Sequence, residues 1–123
     1  MKIIETKEVP AAGPYSQAVI TGGLVYTSGQ IPADPATGAV TASGIEAQTR
    51  QAVRNLRAVL EAAGSSLDRV VKTTCYLKDM GDFPVFNRVY GEAFPQKPAR
   101  SCLEAAALPK GALLEIEAVA EAD

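Results

Sequence analysis

The stretch Leu114-Glu115-Ile116-Glu117-Ala118-Val119-Ala120 constrains the fold more than any other part of the chain. Leu114, Ile116 and Ala118 recur with the period of two that lines one face of a strand, and the same period sends Glu115, Glu117 and Val119 to the other. One face reads as core. The face carrying two carboxylates must meet solvent or another subunit.

The chain offers one domain in which to build such a sheet. Its 123 residues, 47% of them hydrophobic, suffice to bury roughly two thirds of the surface of the unfolded chain. No repeat, low-complexity tract or linker divides residues 1–123. A net charge of -2 without any Lys/Arg run argues against a nucleic-acid-binding surface, whose footprint is a clustered basic patch. A small ligand or a protein partner fits better. No stretch approaches the roughly 20 apolar residues of a membrane span, and MKIIETKEVP lacks both an apolar signal core and an Arg-rich amphipathic character. The expectation is a cytoplasmic protein that does not touch membranes.

Cys75 and Cys102 have no CxxC spacing and leave too few ligands for a structural zinc site; a disulfide framework is equally unexpected. The absence of histidine removes Ser-His and Cys-His nucleophile pairs, imidazole proton shuttles and nearly all catalytic zinc sites. Any chemistry runs on carboxylate, guanidinium, hydroxyl, thiol or backbone groups.

Residues 17–20 and 24–28 flank Thr21-Gly22-Gly23 and predict an antiparallel hairpin. Pro32, Asp34-Pro35 and Thr37-Gly38 make 31–40 a loop. Ser43-Gly44-Ile45-Glu46 has the form of a capping box, and Ile45, Thr49, Ala52, Val53, Leu56, Val59, Leu60 and Ala63 recur at helical spacing, with Gly64 as the stop. Arg50, Arg54, Arg57 and Glu61 fall on the opposite, solvated side. Residues 70–77 predict a strand with either face as core. A second helix runs from a cap at Asp82 to about Phe94, its apolar stripe being Phe83, Phe86, Tyr90, Ala93 and Phe94. Asn87 lies on the margin of that stripe, where an inward-leaning amide needs a partner. Strands from Ala99 to Ala106 and from Ala112 to Ala120 follow, joined by a turn at Pro109-Lys110-Gly111. The order β-β-β-α-β-α-β-β predicts an α+β sandwich, with two helices on one face of a mixed sheet.

Antiparallel pairing of the last two strands would set Arg100, Cys102 and Glu104 on the same face as Glu115 and Glu117, making Arg100 and Glu117 neighbours. Two readings follow: an ordinary ion pair on a wet sheet face, or a carboxylate-binding arginine beside an acid/base glutamate at a subunit interface.

The segments AAGPYSQAV (11–19), VYTSGQIPADPATG (25–38), VVKTTCYLKDMGDF (70–83), FNRVYGEAF (86–94) and PARSCLEAAALPKGALLEIEAVA (98–120) resemble the Rid superfamily, and closely its RidA-type reactive-intermediate deaminases. The resemblance implies a chorismate-mutase-like fold assembled as a homotrimer, in which polar sheet faces line an inner barrel and three sites lie between subunits. It implies hydrolysis of 2-enamine and 2-imine acids such as 2-aminoacrylate and 2-iminopropanoate to 2-keto acids and ammonia, without cofactor or metal. Carried over by motif, Arg100 of PARS clamps the substrate carboxylate and Glu117 of EIEA activates water, with Glu115 the competing choice by side-chain direction. Tyr15 of GPYSQ, Ser28 and Gly29 of TSGQ, Asn87 and Cys102 shape the site. The FPQKP connection is short for the family and LEAAALP is leaner than usual, which bears on the pocket rim. The alternative reading is a trimeric regulator that senses keto or amino acids and docks on another enzyme. An endoribonuclease label is also attached to similar sequences, and an acidic, histidine-free chain gives it little physical support.

Overall fold

In the computed structural model, which describes residues 1–11 and 13–123, the strands are β1 (Lys2–Ile4), β2 (Ala18–Thr21), β3 (Leu24–Thr27), β4 (Val70–Leu77), β5 (Ala99–Glu104) and β6 (Leu114–Glu121). The helices are α1 (Ile45–Ala62), between β3 and β4, and α2 (Phe83–Ala93), between β4 and β5. The expected element order is the one observed. The strands form one six-stranded sheet in the order β1-β2-β3-β6-β4-β5.

The β2–β3 hairpin is antiparallel, and Gly22 and Gly23 turn it with φ of 59° and 77°, values that a side chain would strain. The final strand sits in the middle, antiparallel to both β3 and β4. Leu114, Ile116 and Ala120 have no exposure and join residues of both helices in one buried cluster. Glu115, Glu117 and Val119 lie half-buried on the uncovered face. The predicted alternation is therefore realised. In β4 the core face is Thr73, Cys75 and Leu77, all fully buried. The pairs Val70–Ala120 and Lys72–Val119 leave Val71 as an extra residue; this bulge lets Val70 and Thr73 both face inward.

The antiparallel pairing expected for β5 is overturned. β5 pairs parallel with β4 at the sheet edge and does not touch β6, because α2 carries the chain across the covered face before it returns.

α1 also departs from expectation at its start. The N-cap is Gly44, at φ 84°, no side chain caps the helix, and Glu46 instead meets Arg50 and Arg88. The left-handed turn at Gly44 takes Ser43 out of capping position. The other end is as expected: the NH of Gly64 donates to the Glu61 carbonyl at 3.0 Å and that of Ser65 to the Leu60 carbonyl at 2.9 Å, with Gly64 at φ 77°, a Schellman closure. Every apolar position assigned to the α1 core face except the partly buried Ile45 is buried. Two buried polar residues join them: the Gln48 amide accepts from the Leu113 NH at 2.9 Å, and Asn55 donates to the carbonyls of Ile31 and Ala33 at 3.0 and 2.9 Å. Asn55 thereby ties the 31–40 loop to the core.

Ser43→Ala is expected to change stability by less than about 0.5 kcal/mol, whereas Gly64→Ala should cost about 1 kcal/mol for placing a side chain at positive φ. Urea unfolding of the two variants checks this; a Ser43→Ala loss as large as that of Gly64→Ala would restore the capping box.

Candidate active site

A cleft of about 450 Å³ opens beside the uncovered face, lined by Pro10, Tyr15, Gln17, Thr27, Ser28, Gly29, Gln30, Ile31, Ala33, Asn55, Pro109, Lys110, Glu115 and Glu117. A break in the β3–β6 ladder shapes it. Between the pairs Tyr26–Val119 and Gln30–Ile116, three residues of one chain segment (Thr27, Ser28, Gly29) oppose two of the other (Glu117, Ala118), which is a bulge. The released backbone finds other partners: the Ser28 NH donates to the Gln17 carbonyl at 2.9 Å, the Ser28 hydroxyl to the Ser16 carbonyl at 2.5 Å, and the Ala118 NH to the Thr27 hydroxyl at 3.0 Å. Ser28 thus fastens the loop bearing Tyr15 to the bulge. Tyr15 is exposed and folds back over Gly13.

Gly29 is required by space. A Cβ there would stand 2.6 Å from Cδ and 2.9 Å from Cγ of Glu115, so any side chain would evict the carboxylate. Crowding has an electrostatic consequence. Burial, and then the neighbouring charge of Glu117, push the Glu115 carboxyl above the ordinary glutamate range. Glu117 has a partner that Glu115 lacks: the Tyr76 hydroxyl on β4 donates to its Oε1 at 3.2 Å. The negative charge of Glu117 is in turn the main reason that the Tyr76 phenol is held above its usual value.

The rest of the predicted residues assemble elsewhere. Arg100 lies beside Thr73 across the β4–β5 pair, on the face covered by the helices. Its Nη1 donates to the Asn87 side-chain oxygen at 2.7 Å, and its guanidinium stands 5.4 Å from the Phe83 ring centroid and 4.9 Å from that of Tyr90. The inward-leaning amide of α2 has found its partner. Cys102, two residues along β5, is half-buried on the same side, next to Cys75 in the ladder. Burial raises the Cys102 thiol pKa, against the pull of Arg100, and holds Cys75 at about 12; both thiols are free.

Tyr15, Ser28, Gly29, Glu115 and Glu117 therefore share one cleft, while Asn87, Arg100 and Cys102 form a second cluster. Arg100 and Glu117 are not neighbours. They point to opposite faces of the sheet from strands separated by β4, a consequence of the parallel pairing of β5. Sequence reasoning missed Tyr76, Asn55 and the aromatic bed of Arg100. Tyr76 shares the alternation phase of Lys72 and Thr74, but its reach to Glu117 depends on a strand order that the phase does not specify. No group of three or more Cys, Asp or Glu side chains is arranged to hold a metal ion among the described residues, and no helix there is long and apolar enough to cross a membrane.

The sequence model of the family described as "Endoribonuclease L-PSP" matches residues 5–122. The 2-iminobutanoate/2-iminopropanoate deaminase of Salmonella typhimurium is 50% identical over 124 residues, covering 97% of this chain and 96% of that protein. A putative regulator, AldR, of Lactococcus lactis is 50% identical over 123 residues, covering 98% of each. Among solved structures, E. coli TdcF with bound serine superposes with a TM-score of 0.93 at 43% identity, covering 100% of both chains. Both the matched segments and the six-stranded, two-helix architecture place this chain in the L-PSP family, the Rid proteins.

Proposed function

We propose that the chain is a 2-imino acid deaminase that works as a homotrimer of chorismate-mutase-like barrel form, with each site completed across a subunit boundary. The observation that carries this reading is the division of the site into two incomplete halves. Among the described residues the cleft half holds a desolvated carboxylate and backbone groups but no cation to receive a substrate carboxylate apart from Lys110, which is engaged with the Gly38 carbonyl at 2.6 Å. The β5 half holds a pre-set arginine with no ion pair among the described residues. Two strand spacings of roughly 4.8 Å and the thickness of the sheet keep the halves apart within one chain. A ring in which the cleft of one copy meets the β5 edge of the next brings them together, and a heterologous contact that closes after three copies gives three identical sites. The names of the relatives agree with such a ligand, since one is an imino-acid deaminase and one structure holds serine, an amino acid.

In this mechanism Arg100 takes the substrate carboxylate in a two-pronged bond, leaving C2 of the imine before the neighbouring copy's Glu115. Glu115 accepts a proton from water as the oxygen adds to C2 of the N-protonated imine, giving a neutral carbinolamine. Glu115 returns that proton to the nitrogen, the C–N bond breaks as the C2 hydroxyl gives its own proton to Glu115, and ammonia and the 2-keto acid leave. The enamine tautomer enters after protonation at its terminal carbon. We assign the acid/base role to Glu115, the carboxyl that burial raises above the ordinary glutamate range. Glu117, which the motif comparison favours for it, is engaged with Tyr76 and adds, after burial, to the raising of the Glu115 pKa. Tyr15, Ser28 and Gly29 shape the cleft, and Asn87 and Cys102 flank the arginine. A histidine-free chain has no imidazole pair to activate a ribose hydroxyl, so the ribonuclease reading gains no support from the site.

Arg100→Ala and Glu115→Gln should each reduce kcat/KM at least a hundredfold in an assay that couples a serine or threonine dehydratase to keto-acid release. Subunit mixing of the two inactive variants is expected to restore roughly one quarter of the sites. No recovery in verified mixed oligomers would refute the intersubunit site; RNA cleavage without imine turnover by the wild type would refute the deaminase.

The acid limb of kcat/KM is expected above the ordinary glutamate pKa, because Glu115 must lose its proton to act. Glu117→Gln removes a neighbouring negative charge and should move that limb to lower pH. An unmoved limb would detach Glu115 from the rate. Because its folded pKa is raised, Glu115 costs stability that sets in as pH rises through the unfolded glutamate pKa and is complete above the folded value. Glu115→Gln should therefore raise Tm at pH 8 and have little effect at pH 4.

A further inference from the structure

We propose that Thr73 and Tyr90 form a positioning device for Arg100, an inference that rests on the carboxylate-clamp reading above. Phe83, Asn87 and Tyr90 are spaced four and three apart on α2 and so share one helical face. That face gives the guanidinium two aromatic rings and one amide oxygen. The ring at 4.9 Å is itself held: the Tyr90 hydroxyl lies 2.6 Å from Oγ1 of Thr73, which has no exposure, in a site where Tyr90 is 7% exposed. Phe86 and Phe94 pack against the Tyr90 ring with centroids 5.6 and 4.6 Å away. Thr73 is the residue paired with Arg100 in the β4–β5 ladder. The arginine and the hydroxyl that anchors its aromatic bed are therefore fixed to the same rung of the sheet.

Stability alone does not call for this pair. A valine and a phenylalanine would fill the same space without placing two hydroxyls in the core, and exchanging both partners of a buried hydrogen bond for apolar groups of like shape is nearly neutral. What the bond adds is a fixed ring angle under a cation whose hydrogen-bonding support, Asn87, holds only one of its nitrogens. An arginine braced in this way without a carboxylate keeps N–H donors free for a substrate and loses little side-chain freedom on binding.

The test uses the full-length protein, with the Arg100 Nε–Hε resonance assigned by its absence from Arg100→Ala. In Thr73→Val/Tyr90→Phe the resonance should move toward that of free arginine, and KM for 2-iminobutanoate should rise about threefold with kcat nearly unchanged. Tyr90→Leu, which removes the π face, should raise KM about tenfold. Phe94→Leu loosens the packing behind the Tyr90 ring but keeps the Thr73–Tyr90 hydrogen bond and both rings facing the guanidinium, and is expected to lower Tm while shifting the resonance and KM much less than the double variant does. Unmoved Arg100 resonance and KM in the double variant, or an equal KM change in Phe94→Leu, would overturn the proposal. If the wild type hydrolyses no imine, the deaminase reading fails, and the Arg100 resonance in the double variant still decides the positioning role.

Discussion

Burial of one face of β6 in the centre of the sheet holds the fold together. β1 to β3 and β4 to β5 are joined in the sheet only through this strand, whose Leu114, Ile116 and Ala120 are shut off from water by the helices. Burying the leucine and isoleucine contributes about 2 to 3 kcal/mol each. A slip of one residue would exchange that gain for two carboxylates pressed into an apolar layer, at a cost no ordinary domain stability covers. The same alternation that fixes the register therefore delivers Glu115 and Glu117 to the uncovered face. Structure and candidate chemistry are written on the two sides of one strand.

What could be read from the sequence follows from the range of each signal. The alternation of 114–120, the glycine hairpin at 22–23, the helical period of 45–63 and the left-handed stop at Gly64 are local, and all are realised. The capping box failed although its letters were right, because Gly44 at positive φ turns the chain before Ser43 can reach the helix. Partners across the sheet were less accessible. Nothing in residues 99–104 says that they lie beside β4 rather than β6, and that single fact moves Arg100 to the other face. The same limit hid Tyr76, whose role depends on which carboxylate lies diagonal to it, and Asn55, whose partners are carbonyls 24 and 22 residues earlier.

The β4-α2-β5 crossover has a chemical result. Had β5 formed a hairpin with β6, Arg100 and the two glutamates would neutralise one another on a single surface, as exposed pairs do to little effect. The crossover instead puts the cation under α2, against aromatic rings and an amide, and leaves the carboxylates in a cleft with a phenol. Each side retains unsatisfied electrostatic demand. The Glu115 carboxyl is held above the ordinary glutamate range by burial and then by Glu117, and Arg100 is braced but not neutralised.

On the proposed reading, that unsatisfied demand is what assembly uses. Bringing the β5 edge of one copy to the cleft of the next sets the Arg100 clamp opposite Glu115, so the base stands where the substrate carboxylate is held. Contact between copies also excludes water from the space between them, which strengthens the bond from guanidinium to substrate carboxylate. The absence of histidine then loses its oddity. A glutamate raised by burial and by a like-charged neighbour takes over the proton transfers for which imidazole is the usual choice, and Gly29 provides the room that keeps it there.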